Sequence, residues 1–358
     1  MDKENKCIVY VGNYTKEEKK GIYAYRLDED GSLIEINSPQ DIENPSYICF
    51  DRDKRYVYAV IERDSFQGGH GGGVAAYKII NDVGELQYLN SKGTKGVDPC
   101  HLITDKDNRH LYVANYTEGT FTTFNIAEDG SLGNLVDVTV HEGSGVDEVR
   151  QEKAHVHYVT FTPDEKFLLA VDLGIDKIKI YSVSEKSGIP TPVGEYKVKP
   201  GAGPRHLVFH PNGKYVYVIN ELSSEIVALR YISEGAILET IQYISTLPEG
   251  FKEFNNCAAV HVSKDGRFLY ASNRGHDSIA VFRKDETTGK LELVSITPTG
   301  GEFPRDFGID PSGRFLFAAN QKSDTITSFR IDNETGELRP LPQVIAVQSP
   351  TCIKFLEL

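Results

Sequence analysis

Two stretches of the sequence, PRHLVFHPNGKYVYVIN at residues 204–220 and PRDFGIDPSGRFLFAAN at residues 304–320, match at every hydrophobic and turn position without a gap. Both open on Pro-Arg, continue with a short apolar run, turn at a Pro-x-Gly segment and close on a second apolar run that ends in Asn. An internal match of this length indicates a chain built from repeated units.

The residue that closes each unit recurs along the chain at intervals of 47 to 57 residues. A basic residue stands six positions before six of these closing residues, and a Pro stands sixteen positions before four of them. The closing residues are Asn13, Ile61, Asn115, Asp172, Asn220, Asn273 and Asn320. A period near fifty residues is typical of an array of supersecondary units.

Each unit carries strand signals and no long stretch with helical spacing. In one unit, an apolar run at 207–210, a hairpin turn at Asn212-Gly213 and a continuous apolar run at 215–219 follow one another. A third run follows at 226–231, and a weaker fourth strand comes after a Gly-containing turn. Four antiparallel strands in each of seven units predict an all-β fold, the seven-bladed β-propeller.

The two ends of the chain predict how the ring closes. Residues 7–12 already correspond to the second strand of a unit, so the first unit lacks its innermost strand. Residues 350–355 repeat the Pro-led opening of a unit. We therefore expect the C-terminal strand to join the first blade and to pair an edge that would otherwise stay open. Residues 1–358 would then form a single domain.

Composition and charge exclude several classes of protein. The 358 residues include 39 Lys and Arg against 52 Asp and Glu, for a net charge of −13. Because no Lys/Arg block provides the basic face that a nucleic-acid backbone requires, we expect no nucleic-acid partner. No apolar run approaches the ~20 residues of a membrane span, so we expect a soluble protein without a membrane partner.

The cysteines and the known motifs argue against a metal or a cofactor. The five cysteines are scattered and form no CxxC pair, which disfavours disulfides and a zinc site and fits a cytoplasmic protein. His155 and His157 have no acidic or thiol partner beside them in the repeat. The chain also lacks a dinucleotide fingerprint and the GxSxG and HExxH motifs. We expect a monomer or weak homodimer with no metal and no cofactor.

Strand order places ionisable residues on one face of the predicted ring. The first strand of a blade runs away from its entry loop and the second returns, so residues just before the first and just after the second lie at the same end. The residues at these positions are His155, His157, Arg205, His206 and Arg305, and then Glu62, Glu221, Arg274 and Gln321. Such a cluster around the axis predicts a ligand pocket.

These residues also have structural interpretations. His157 and His206 could bond loop carbonyls, and Arg305 could pair with a carboxylate such as Asp306. Glu221 and Arg274 could form a salt bridge between blades. The shared face favours a site, because chance would scatter these side chains over both faces.

Two loops lie on the same predicted face. Residues 68–73, GGHGGG, resemble a phosphate-cradling loop only superficially, because no Lys-Ser/Thr pair and no helix follows, and we interpret them as a flexible connector. The insertion at 140–153 carries Arg150 and Gln151 just before His155. It is either a lid over the site or a plain solvent loop.

At these residues the sequence resembles the propeller lactonase family, the 6-phosphogluconolactonases of the cycloisomerase-2 type, over essentially the whole chain. The segments that carry the resemblance are RQ at 150–151, HVH at 155–157, DLG at 172–174 with Asp176, GPRH at 203–206, VINEL at 218–222 and SNRGHDSI at 272–279. The resemblance implies hydrolysis of 6-phospho-glucono-δ-lactone to 6-phosphogluconate in the pentose phosphate pathway. A related branch, the fungal carboxymuconate lactonising enzymes, closes a ring on a dicarboxylate with a His, Glu and Arg set.

By this resemblance the expected catalytic residues are His157, Glu221 and Arg274. His157 would activate water as a general base, and Glu221 would orient that water or shuttle the proton. Arg205 and Arg274 would hold the phosphate or stabilise the oxyanion. The other expected contacts to a small anionic sugar lactone come from Arg150, Gln151, His155, His206 and Arg305.

Two alternatives stay open. A cycloisomerase would use the same residues on an open-chain dicarboxylate. A non-catalytic interaction propeller would present an exposed apolar or aromatic face, whereas this face is rich in His and Arg.

Overall fold

The computed structural model describes residues 7–16, 20–37 and 40–358 and contains seven four-stranded antiparallel sheets. The innermost strands of neighbouring sheets contact one another in sequence, and the last contacts the first, so the sheets form a closed ring of blades. The predicted seven-bladed β-propeller is confirmed. Within the described residues, no helix is long and apolar enough to cross a membrane.

In each of blades 1 to 4 the four strands follow one another from the axis outward. Blade 1 consists of Pro350–Glu357, Cys7–Asn13, Tyr23–Leu27 and Leu33–Asn37. Blade 2 consists of Ile48–Phe50, Tyr56–Ile61, Gly73–Ile79 and Leu86–Gly93. Blade 3 consists of Pro99–Thr104, His110–Asn115, Thr120–Ile126 and Leu132–Val140. Blade 4 consists of Val156–Phe161, Phe167–Asp172, Lys177–Val183 and Pro190–Lys197.

Blades 5 to 7 have the same order of strands. Blade 5 consists of Pro204–Phe209, Tyr215–Asn220, Glu225–Ile232 and Ile237–Ser245. Blade 6 consists of Asn256–Val262, Phe268–Arg274, Ser278–Lys284 and Leu291–Pro298. Blade 7 consists of Pro304–Ile309, Phe315–Asn320, Thr325–Ile331 and Leu338–Ala346. Two further pairs of short strands are antiparallel: Lys20–Gly21 with Gln40–Asp41, and Ser65–Phe66 with Gly69–His70.

The ring closes as the sequence predicts. The C-terminal strand pairs antiparallel with the N-terminal strand, with Val9 opposite Phe355 and Val11 opposite Ile353. This pairing supplies the innermost strand of blade 1 and leaves no open edge at the junction. That residues 1–358 form a single domain stays a prediction, because residues 1–6 lie outside the described part of the chain.

The second strands of the blades are buried on both faces, which explains their continuous apolar sequence. A Tyr in five of these strands donates its hydroxyl to the carbonyl of a Gly in the outer hairpin of the next blade, at 2.5 to 3.1 Å. The donors are Tyr10, Tyr58, Tyr112, Tyr217 and Tyr270. Each buried hydroxyl thereby finds a partner, and each hydrogen bond joins two blades.

The closing residue of each unit fixes the end of the blade that faces the site. Asn115 is fully buried and donates through Nδ2 to Thr120 and Thr122 across the following hairpin.

The first strand of blade 5 has an irregular register where it begins, because Pro204 pairs with Asn220 while His206 pairs with Ile219. This bulge leaves one extra residue at the strand entry and redirects its side chain.

Candidate active site

A pocket of about 270 Å³ opens at the end of the ring where the first strands begin. Its walls come from strand entries and strand ends of several blades and from the 140–153 insertion. The lining residues are Glu62, Asp98, Cys100, Tyr116, Thr117, Arg150, His157, Glu221, Arg274 and Arg305. The expected catalytic residues His157, Glu221 and Arg274 therefore lie together in one pocket.

Glu221 lies at the centre of three arginines. Its Oε1 is 2.5 Å from Arg150 Nη2, and its Oε2 is 2.6 Å from Arg274 Nη2 and 3.1 Å from Arg205 Nε. The Glu221 side chain is 4% exposed, and those of Arg205 and Arg274 are 2% and 5% exposed. The inter-blade salt bridge between Glu221 and Arg274 therefore exists, and it forms part of the pocket wall.

Local structure holds these side chains in place. Glu221 directly follows the second strand of blade 5, and its backbone N–H donates to the Gly203 carbonyl at 2.7 Å. Arg205 Nη1 donates to the Ala258 carbonyl at 2.7 Å, and Arg274 Nη2 donates to the Cys257 carbonyl at 2.8 Å. Because these backbone carbonyls also hold the two guanidinium groups, the arginines cannot easily turn away from Glu221.

The arginines determine the charge state of Glu221. Burial alone would raise the pKa of this carboxyl, but Arg274, Arg205 and Arg150 outweigh it and hold the pKa at about 2. Glu221 therefore stays a carboxylate at any pH near neutrality. It can orient a water or a cation, but it does not carry a proton.

His157 is the histidine that lines the pocket. It lies in the first strand of blade 4 and is 5% exposed, and its buried Nδ1 has no hydrogen-bond partner among the described residues. Burial, together with the charges of Arg205, Arg305 and Arg274, lowers its pKa well below the ordinary histidine value. At neutral pH the ring is uncharged and can accept a proton.

Arg305 differs from the other pocket arginines because it forms no ion pair within the described residues. Its guanidinium lies 5.3 Å from the centre of the Tyr14 ring. The alternative in which it pairs with Asp306 is wrong, because Asp306 Oδ1 lies 3.2 Å from His261 Nε2 instead. Asp306 follows Arg305 in a strand whose register shifts at that point, and its side chain turns toward the neighbouring blade.

Two carboxylates, those of Glu62 and Asp98, form an acidic wall in the same pocket as Arg305. The sequence predicts Glu62 on this face but not Asp98. Glu62 accepts a hydrogen bond from the Tyr14 hydroxyl at 2.6 Å and another from the Ser46 hydroxyl. Asp98 accepts one from the Thr117 hydroxyl at 2.6 Å. The position directly after the closing residue of each unit held a usable signal, since it is occupied by Tyr14, Glu62 and Tyr116, the last of which also lines the pocket.

Four predicted contact residues lie behind the pocket instead of lining it. Arg205 contacts the Glu221 carboxylate but is not among the residues that line the pocket, and His206 Nε2 lies 3.1 Å from Arg205 Nη1. His155 Nδ1 bonds the Tyr116 carbonyl at 3.0 Å, and its ring stacks on Tyr116. These positions support indirect roles for His155, His206 and Arg205.

Gln151 is the fourth of these residues, and its side chain holds the 140–153 insertion in place. It is fully buried, its Nε2 donates to the Leu173 carbonyl and to Asp176 Oδ1 at 2.8 Å each, and its Oε1 accepts from the backbone of Val146 and Asp147. With its amide fully used, Gln151 has no donor or acceptor left for a substrate. Gln151 therefore anchors the 140–153 insertion, which contributes Arg150 to the wall of the pocket.

The Gly-rich segment at 68–73 is more ordered than a flexible connector. Gly69–His70 pairs with Ser65–Phe66 in a short hairpin, and positive φ angles at Gly68 and Gly71 allow the turn. His70 Nε2 lies 2.9 Å from Glu118 Oε2 in the next blade.

Metal ligands are not grouped in the described part of the chain, where no three or more His, Cys, Asp or Glu residues are arranged to hold an ion. The side chains of the pocket offer an uncharged imidazole, arginines fixed by a permanent carboxylate, and one arginine that forms no ion pair with a described residue. This set can activate water, stabilise an oxyanion and bind an anion.

Comparisons with known proteins agree with this chemistry. The family model described as lactonase, 7-bladed beta-propeller, matches residues 8–355. The 6-phosphogluconolactonase of Bacillus subtilis (strain 168) is 43% identical over 353 residues, which are 98% of this chain and 99% of that protein. A Bacteroides fragilis protein with a proposed 6-phosphogluconolactonase function superposes with a TM-score of 0.92 at 36% identity, covering 100% of this chain and 99% of that one. The periplasmic gluconolactonase of Pseudomonas aeruginosa gives a TM-score of 0.91 at 32% identity, covering 98% of this chain and 99% of that one. This chain therefore belongs to the seven-bladed β-propeller lactonase family.

Proposed function

We propose that the chain hydrolyses 6-phospho-glucono-δ-lactone to 6-phosphogluconate in the pocket around His157, as a step of the pentose phosphate pathway in the cytoplasm. The observation that carries the proposal is that the uncharged imidazole of His157 lines the same pocket as Arg305, an arginine that forms no ion pair with a described residue.

His157 acts as the general base. Its uncharged imidazole takes a proton from a water molecule as the water oxygen attacks the lactone carbonyl carbon. When the tetrahedral intermediate collapses, the bond between that carbon and the ring oxygen breaks, and the ring oxygen takes the proton back from His157. The product is an open-chain hydroxy acid, whose carboxyl group then ionises.

Arg274 and Arg150 stabilise the oxyanion that forms at the former carbonyl oxygen. Both line the pocket, and both are held in place by Glu221 before the substrate arrives. Donors that are already oriented need no reorganisation when the charge develops. Glu221 itself stays ionised, with a pKa of about 2, so its role is to hold the arginines and orient the water.

Arg305 binds the phosphate. It is the pocket arginine whose guanidinium is not neutralised by a paired carboxylate of the described residues, and a guanidinium matches a phosphate in bidentate geometry. The carboxylates of Glu62 and Asp98 line the same pocket and would accept hydrogen bonds from sugar hydroxyls. A dicarboxylate has two separate anionic ends and no hydroxyl groups to donate to Glu62 and Asp98, which favours the sugar lactone over the cycloisomerase alternative.

The proposal is tested by assaying the purified chain on 6-phospho-glucono-δ-lactone and on an open-chain carboxymuconate. Formation of 6-phosphogluconate is followed with spontaneous hydrolysis of the lactone subtracted. We expect catalysed hydrolysis of the lactone and no ring closure of the carboxymuconate. The opposite pattern would assign the chain to the cycloisomerase branch, and inactivity on both would favour an interaction propeller.

A further inference from the structure

Asp176 connects the 140–153 insertion to the entry of blade 5. Its Oδ1 accepts hydrogen bonds from Gln151 Nε2 and from the Gly203 backbone N–H, both at 2.8 Å. Its Oδ2 accepts the backbone N–H of Gly201 at 2.7 Å. The residue is 7% exposed and is not among the residues that line the pocket. Asp176 therefore joins two segments without touching a substrate.

Each of these two segments carries an arginine that contacts Glu221. Arg150 directly precedes Gln151 in the chain, and Arg205 lies two residues after Gly203. Their guanidinium nitrogens are 2.5 and 3.1 Å from the Glu221 carboxylate. One buried carboxylate thus fixes the backbone next to two of the three arginines.

The same device recurs elsewhere in the ring. Asp277 and Asp324 occupy the position of Asp176, four residues after the closing residue, and all three have φ angles of 53° to 55°. A left-handed backbone is costly for a residue with a side chain, and Asp tolerates it when its carboxylate bonds locally. Asp277 Oδ1 accepts the backbone N–H of Phe303 at 2.8 Å, and Asp324 Oδ1 accepts that of Ser349 at 2.7 Å.

The residues that follow differ between these blades. Phe303 is followed by Pro304 and then by Arg305 of the pocket. Ser349 is followed by Pro350 and then by Thr351, which is buried and not part of the pocket lining. Asp176 and Asp277 therefore bond segments that continue into an arginine of the site, whereas the segment bonded by Asp324 continues into a threonine.

We propose that Asp176 and Asp277 are positioning residues of the pocket, Asp176 for Arg150 and Arg205, and Asp277 for Arg305. The expected kinetic effects rest on the proposed function, whereas the expected structural effects do not.

The structural arm measures backbone amide hydrogen exchange in Asp176→Asn, with Asp324→Asn as the matched control. An Asn side chain has one acceptor oxygen for the three donors around Asp176. Its NH₂ group would replace the other carboxylate oxygen and would face an N–H donor to which it cannot bond. We expect exchange to rise at least about tenfold at 145–151 and 201–203 in Asp176→Asn, as loss of about 1.4 kcal/mol of local stability implies. In Asp324→Asn it should rise only near Ser349. Unchanged exchange at 145–151 in Asp176→Asn would overturn the proposal.

The kinetic arm measures kcat and KM on 6-phospho-glucono-δ-lactone. Asp176→Asn should lower kcat roughly ten- to hundredfold with little change in KM, because Arg150, which donates to the oxyanion, is misplaced. Asp277→Asn should raise KM about fivefold or more with little change in kcat. Asp310→Asn should change neither, because this buried carboxylate bonds the backbone of Ser312 and Phe315 at the opposite end of blade 7. Equal losses in all three variants, in proportion to their melting temperatures, would show a general stability effect and overturn the proposal.

Two further measurements keep these outcomes decisive. If Asp176→Asn does not fold, Gln151→Glu replaces the donor to Asp176 with an oxygen and keeps the oxygen that accepts from Val146 and Asp147. This variant must itself lower kcat, or the proposal is wrong. If the wild-type chain shows no catalysed hydrolysis, the proposed function fails, and the exchange experiment still decides whether Asp176 fastens the two segments.

Discussion

The guanidinium of Arg305 lies 5.3 Å from the centre of the Tyr14 ring, where it forms no ion pair with a described residue. The other arginines that line the pocket, Arg150 and Arg274, contact Glu221, so Arg305 can receive an anion without first giving up an ion pair with a described residue. The net charge of the whole chain is −13, yet a phosphate inside the pocket is within a Debye length of about 8 Å of this arginine. Local charge therefore outweighs the long-range repulsion.

We predict that Arg305→Ala weakens binding of the phosphorylated lactone specifically. A charge-assisted contact is worth about 1.5–3 kcal/mol, so KM for 6-phospho-glucono-δ-lactone should rise at least about tenfold, while plain glucono-δ-lactone is little affected. Arg314→Ala is the matched control, since Arg314 lies over Phe315 on the surface of the same blade. Equal losses on both lactones would show that Arg305 does not bind the phosphate.

Glu221→Gln should damage both activity and stability. Removing one member of a buried ion-pair cluster leaves uncompensated charges and costs about 3–5 kcal/mol, and kcat/KM should fall at least about a hundredfold as the arginines separate. Glu225→Gln in the same blade is the control, because Glu225 pairs with Lys199 at the surface and should cost at most about 1 kcal/mol. A Glu221→Gln chain with an unchanged melting temperature and normal turnover would contradict the role of Glu221 in the cluster.

The pH dependence of kcat/KM should reflect the lowered pKa of His157. Because burial and the surrounding arginines favour its uncharged form, His157 remains a competent base as the pH falls through about 6.5. Activity on plain glucono-δ-lactone should stay constant from about pH 7.5 to about pH 6 and decline only at lower pH. An acid limb with a midpoint at or above about 6.5 would indicate a base in a solvated environment, which His157 is not.

The fold and the position of the site follow from sequence because both depend on backbone periodicity. The match between 204–220 and 304–320 defines the repeat, and the missing first strand at 7–12 defines the closure. Counting from the closing residues placed His157, Glu221 and Arg274 at one end of the ring, since strand direction alone decides which end a residue occupies.

Side-chain pairing could not be predicted in the same way. Arg150 and Glu221 are 71 residues apart, and the register shift at Pro204 removes the alternation that would give the direction of Arg205. Gln151 was predicted as a contact residue because the segment at 150–151 carries part of the family resemblance, yet its amide bonds its own loop and the segment at 173–176. These outcomes depend on bulges and loop folding, which hydrophobic patterning does not encode.

The central claim is that His157 performs the acid–base step, and its most direct test is the turnover of His157→Gln on 6-phospho-glucono-δ-lactone. Gln preserves a polar side chain but cannot take a proton, so kcat should fall by about 10²–10⁴ while the melting temperature stays near that of the wild type. His261→Gln is the control, since His261 bonds Asp306 and is not among the residues that line the pocket. If His157→Gln folds and hydrolyses the lactone at the wild-type rate after subtraction of spontaneous hydrolysis, His157 is not the base and the proposed mechanism is wrong.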